Sequence, residues 1–160
     1  MPNWTFCALH CDDATKENGF WEELKRFLAG DDSNGKYQVL TFNVLVPMPQ
    51  YIYRGGTLGM KEEARYGKEL CWYVWSCRNW GVIWDASSVE WDGDCFRFDT
   101  PWSAPEQWFV ELCRVAAIAG ITGLRLVCHY EDGGCSEYTQ QDDGSVFCEE
   151  IEDEEEEEVE

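Results

Sequence analysis

From Trp4 to Cys11, apolar residues fall on both faces of an extended segment: Trp4, Phe6 and Ala8 on one, Cys7, Leu9 and Cys11 on the other. That pattern predicts a strand in the interior of a sheet. The period then lengthens. Phe20, Trp21, Leu24, Phe27 and Leu28 recur at helical spacing, with Asp12, Asp13 and Thr15 as N-cap candidates and Gly30 as the stop. Lys25 and Arg26 fall in the last turn, where the helix dipole favours them. Tyr37 to Phe42 predicts a second strand, closed by Pro47 and Pro49. Gly55, Gly56 and Gly59 mark a loop. Lys61 to Asn79 predicts an inserted helix with Tyr66, Leu70, Val74 and Cys77 along one stripe.

Beyond the insertion the pattern returns to strands. Ser87 to Trp91 and Cys95 to Phe98 flank Asp92-Gly93, a hairpin turn signal. Ser103-Ala104-Pro105-Glu106 reads as a capping box with proline in the first turn. Trp108, Phe109, Leu112, Val115, Ala116 and Ala119 follow as a buried stripe, and Gly120 ends it. Leu124 to Tyr130 is an apolar strand. Cys135 to Gln140 and Val146 to Ile151 form a hairpin around Asp143-Gly144. Strands, then helices between them, predict an α+β domain over residues 1–151 with an insertion near 50–80. The expected form is a mainly antiparallel, ferredoxin-like sheet carrying two helices on one face.

Composition supports a real core. The 160 residues are 44% hydrophobic and 15% aromatic, with nine tryptophans. Charge changes the functional picture more than the fold. Thirty-two acidic residues against twelve basic ones give −20. That sign disfavours direct binding to nucleic acid, whose affinity comes from Lys and Arg on phosphates, and it repels anionic lipid. No membrane partner is expected, because no stretch approaches the length of a span. Residues 152–160 form an acidic tail, with Glu154, Glu155, Glu156, Glu157 and Glu158 unbroken. Twelve acidic residues lie from Asp142 onward; without them the rest still carries −8.

The start has no basic region followed by an apolar run, so a cytoplasmic setting with reduced, buried cysteines is expected. Nine cysteines cannot all pair within one chain. Cys7, His10, Cys11, Cys128, His129 and Cys135 could approach one another if the first and fourth strands are close. Their spacing is not that of a structural zinc site, and alternation sends Cys128 and His129 to opposite faces. No phosphate-binding glycine loop or nucleophile–histidine motif is present, so no cofactor and no enzymatic role is expected. Asn79-Trp80-Gly81-Val82-Ile83-Trp84-Asp85-Ala86 reads as a folded corner. Gly81 would allow a tight bend, Asp85 would accept backbone or indole N–H groups, and Trp80, Trp84 and Trp102 would pack together.

Several segments together resemble the YubB-type ferredoxin-like domain of phage and plasmid proteins. They are Asn3-Trp4, Leu40-Thr41-Phe42-Asn43 with Val46-Pro47-Met48-Pro49, the Asn79 to Ala86 corner, Phe98-Asp99-Thr100-Pro101-Trp102-Ser103-Ala104-Pro105, and Tyr130-Glu131-Asp132-Gly133-Gly134. Val82-Ile83, Ala104 and the acidic tail depart from that pattern. The resemblance implies a ferredoxin-like sheet and a mobile-element origin, and supplies no catalytic mechanism. The expected role is inhibition of a host nucleic-acid-handling defence system, of CRISPR-Cas or restriction type, in the host cytoplasm. The protein would occupy the basic channel of a nuclease or effector complex as a nucleic-acid mimic. Its candidate contact residues are Asp92, Asp94, Glu131, Asp132, Asp142, Asp143, Glu149, Glu150 and Glu154 to Glu158. Alternative roles are a structural or assembly protein of a mobile element and a metal-dependent enzyme.

Overall fold

A computed structural model describes residues 3–52 and 71–151. The tail with Glu154 to Glu158, and the part of the insertion holding Tyr66 and Leu70, lie outside the described residues.

The fold is α+β, built on a six-stranded antiparallel sheet. Strand β1 (Trp4–Cys11) pairs with β5 (Cys95–Pro101) on one side and β6 (Leu124–Tyr130) on the other. The sheet continues through β4 (Ser87–Trp91) beyond β5, and through β7 (Cys135–Gln140) and β8 (Val146–Ile151) beyond β6. The order is therefore β4-β5-β1-β6-β7-β8. The last three strands have the bounds that alternation and the Asp-Gly signal predict.

β1 is central, as expected, but its two faces differ. Thr5, Cys7, Leu9 and Cys11 are buried, whereas Phe6 on the opposite face is 47% exposed. The buried face joins one core with Leu24 and Leu28 of α1 (Phe20–Leu28) and with Trp108, Phe109, Leu112, Cys113 and Ala116 of α4 (Glu106–Ile118). Burying each such large side chain contributes about 1.5–3 kcal/mol. Seven of the nine cysteines are buried, and Cys77 and Cys148 are exposed.

Five local expectations are corrected. The second strand is only β3 (Tyr37–Gln38), paired with β2 (Gly30–Asp31) in a separate small sheet. Phe42 instead opens a short helix, α2 (Phe42–Leu45), because the Thr41 side chain accepts from Asn43 N–H at 3.2 Å. Phe42 then inserts into the core, 4.7 Å from Trp108 and 5.9 Å from Phe98 between ring centroids.

The helix of the insertion is seen as α3 (Trp72–Asn79), and its buried residue is Ser76; Cys77 is exposed and Val74 half-buried. Helix α1 begins at Phe20 behind Gly19, while Asp13, Thr15 and Asn18 form a hydrogen-bonded turn before it. The capping box does not form either. Ser103 donates its hydroxyl to Gly81 O at 2.7 Å, and α4 starts behind Pro105 without a side-chain cap. On α4, Cys113 takes a buried place, while Val115 is half-buried and Ala119 exposed.

Candidate functional site

The register decides which acidic residues meet. His10 pairs with Cys95, Cys11 with Leu124, Arg125 with Thr139, and Gln140 with Val146. The β4–β5 turn with Asp92 and Asp94, the end of β1 with Asp12 and Asp13, and the β7–β8 turn with Asp142 and Asp143 therefore lie at one end of the sheet. From the first turn to the last is about 19 Å, four strand spacings. Glu131 and Asp132 lie at the opposite end, because Thr5 pairs with Tyr130. Glu149 and Glu150 are exposed on the edge strand β8, opposite Glu137 and Ser136. The sequence candidates thus split into an end array, an opposite end and an edge.

Within the array the carboxylates do different work. Asp92 accepts from the N–H groups of Asp94 and Cys95, each at 2.9 Å, and from Arg97 Nε at 3.1 Å. These N–H donors and the guanidinium hold its carboxyl far below the usual range. Asp143 accepts from Ser145 N–H at 2.9 Å and from its hydroxyl at 2.5 Å, which lowers its pKa. Asp12 makes a bidentate pair with Arg125 at 2.8 and 3.0 Å, and the arginine's hydrogen bond, ahead of its charge, lowers the aspartate's pKa. Arg97 and Arg125 offset two of the six charges. Asp94 and Asp142 are exposed beside these braced groups. At the other end, Glu131 accepts from Trp4 N–H at 2.6 Å and so clamps the start of β1.

The Asn79 to Ala86 corner is built differently. Gly81 has φ 89°, and a Cβ there would run into the Gln107 side chain and come within 3.0 Å of Glu106 N. The tight bend predicted for it is present. Trp80 is buried and donates its indole N–H to Val46 O at 2.9 Å. Trp84 and Trp102 do not join it. Trp84 is exposed and tilts against Trp4 at 6.4 Å between centroids. Trp102 is 59% exposed at φ 68°, its N–H donating to Asn3 O at 2.8 Å.

Asp85 accepts from Phe42 N–H and Ala86 N–H, each at 2.8 Å, and from the Thr41 hydroxyl. It therefore fixes α2 from 43 positions away. Burial pushes its pKa up against the effect of these three bonds.

This corner borders a cavity of about 440 Å³ that sequence reasoning missed. Among the described residues its wall includes Asp32, Trp72, Ser76, Trp80, Trp84 and Asp85. They come from the β2–β3 loop, α3 and the corner. The density of tryptophan between 72 and 84 was the available signal; nothing local linked it to Asp32.

The cysteine–histidine set divides between environments. Cys7 and Cys128 are buried with their sulfurs 3.7 Å apart, while His129 is exposed with its Nε2 3.9 Å from the Cys135 sulfur. Among the described residues no group of three or more His, Cys, Asp or Glu side chains could hold a metal ion. Among the same residues no helix is long and apolar enough to cross a membrane. Compared with protein-family models, with curated proteins and with solved structures, the chain matches none of them.

Proposed function

We propose that this protein is a non-enzymatic inhibitor that presents the acidic end of its sheet to the basic nucleic-acid channel of a host nuclease or effector complex. The observation that carries this reading is the row of aspartates on three neighbouring chain segments at one end of a hydrogen-bonded sheet. Asp12, Asp13, Asp92, Asp94, Asp142 and Asp143 cover about 19 Å. Carboxylates there take the place of phosphates opposite Arg and Lys of the target. Turns already fixed by their own hydrogen bonds lose little further entropy on binding. Glu149, Glu150 and the Glu154 to Glu158 run add long-range steering, which raises the association rate. Glu131 and Asp132, at the far end, belong to a separate contact.

The strand order supports a ferredoxin-like reading of the fold. β6-β1-β5-β4 is the order of that βαββαβ arrangement, with α1 and α4 as the two crossover helices and β7–β8 as an added hairpin. A phage or plasmid origin and a place in the host cytoplasm go with this reading. A second reading, self-association in a mobile-element particle, is favoured by Phe6 exposed on the open sheet face. Sizing chromatography over a range of protein concentrations separates the two: inhibition needs a monomer able to bind, assembly needs concentration-dependent growth.

The test of the leading reading is competition. A host protein captured by this chain should release it when duplex DNA or RNA is added, and more readily as salt rises. Simultaneous binding of target, nucleic acid and this protein excludes mimicry.

A further inference from the structure

We propose that the cavity beside α3 is a binding site for a guanidinium group. This site stands on the cavity's own chemistry and does not depend on the mimicry reading. Its volume, about 440 Å³, falls in the range of small-ligand sites. Three tryptophans, Trp72, Trp80 and Trp84, contribute to its wall, and indole faces attract cations through the ring quadrupole. The same chain already uses that attraction at the surface, where Lys25 Nζ sits 4.4 Å from the Trp91 ring centroid. Asp32 and Asp85 bring two carboxylates to the wall, and among the described residues neither forms an ion pair.

An independent observation points to a ligand. Ser76 lines the cavity, is 1% exposed, and its hydroxyl has no hydrogen-bond partner among the described residues. Leaving a buried hydroxyl unsatisfied is costly, and an N–H donor in the cavity would satisfy it. The walls thus offer indole rings, negative charge and a hydroxyl acceptor. A guanidinium fits this set better than an ammonium. It is planar and can stack on indole, it carries five N–H donors, and its weaker hydration makes entry less costly. The group could belong to a free guanidino compound or to an arginine side chain of a protein.

The experiment follows the indole N–H signals of the folded, full-length protein by NMR at constant ionic strength. N-ethylguanidinium should shift the Trp72 and Trp84 signals saturably, with half-saturation at about millimolar concentration for so few atoms. N-ethylurea, the same shape without the charge, should leave them in place. Asp32→Asn should weaken binding about tenfold. Its side-chain oxygen can still accept from the N–H groups of Asn34 and Lys36, so the loop persists. Ser76→Ala should weaken binding and also raise the thermal midpoint of the ligand-free protein, because it removes the unsatisfied hydroxyl. A serine that only served the fold would not move both. Capped arginine, N-acetyl-arginine methylamide, binding as well as ethylguanidinium identifies an arginine side chain as the source; its exclusion identifies a free guanidino compound. Absence of saturable shifts, equal response to N-ethylurea, or unchanged binding in both variants overturns the proposal.

Discussion

The tryptophan corner and the β4–β5 turn each hang an aspartate on backbone N–H groups, and the outcome is opposite. Asp85 braces α2 from inside the molecule, and burial raises its pKa despite three hydrogen bonds. Asp92 lies at a solvated turn, where the same kind of bond and Arg97 lower its pKa. Hydrogen bonding alone does not decide how a carboxylate behaves; access to water does. The corner therefore spends a carboxylate on holding elements together at the rim of a cavity. At the sheet end Asp92 and Asp143 instead have lowered pKa values and lie exposed to solvent, where a basic partner can reach them.

The comparison breaks most visibly at Asp85. Asp85→Ala leaves Phe42 N–H and the Thr41 hydroxyl without their acceptor and should cost about 3 kcal/mol or more in urea unfolding. Asp85→Asn can keep the three contacts, its amide N–H₂ now donating to the Thr41 hydroxyl, and should stay within about 1 kcal/mol of the parent. Equal losses in the two variants would mean that charge, not geometry, holds the corner. Gly81→Ala comes next in size. It places a Cβ against Gln107 at a positive φ and should cost about 1–3 kcal/mol by the same measurement.

The pH dependence sharpens the contrast. The folded pKa of Asp85 lies above its ordinary 3.8, so the folded state holds that proton more tightly than the unfolded chain. The associated stability is full below 3.8 and is lost as pH rises through the folded value. Asp92 runs the other way: its folded pKa is depressed, so its contribution is present above 3.8 and lost as pH falls through the folded value. Unfolding curves from acid to neutral pH should show the parent losing ground to Asp85→Asn as pH rises, and to Asp92→Asn as pH falls. Parallel profiles for the two variants would contradict the burial argument.

The smallest expected effect is at the sheet edge. Glu149 faces Glu137 across the β7–β8 pair, and like charges directly opposite are unfavourable. Glu149→Lys should stabilise the protein by about 0.5 kcal/mol, with the gain shrinking as salt is added. A loss of stability would show that Glu149 has a favourable partner in solution.

Much of the sheet was legible because its signals are local. In β6, β7 and β8 the strand pattern and an intervening Asp-Gly turn fall within a few residues of one another. The failure at the start of α1 is local, a turn closed by Asn18, but the others that matter most involve distant partners. Tyr37 to Phe42 has the composition of a strand, but Asp85 holds Phe42 N–H and Thr41 in a helix start. Ser103 has the spacing of a cap, but Gly81 O takes its hydroxyl. Trp84 and Trp102 looked like core, yet the bend at Gly81 and the positive φ of Trp102 leave them exposed. At the candidate site, the individual acidic residues were readable and their division between two ends of the sheet was not. That division depends on register, which pairs Cys11 with Leu124 and Thr5 with Tyr130. The cavity was hidden for the same reason, since its wall joins three segments far apart in sequence.

The most direct test of the acidic-end proposal is displacement from the captured host target, read as the rate and extent of release when duplex DNA or RNA is titrated in. Two forms should be run beside the parent: Asp94→Asn with Asp142→Asn and Asp143→Asn, and the Glu131→Gln with Asp132→Asn pair. The expected result is competitive release of the parent by nucleic acid, an association rate lowered by the first set of changes, and a smaller effect from the second. A stable complex holding target, nucleic acid and this protein together, with association indifferent to Asp94, Asp142 and Asp143, would contradict it.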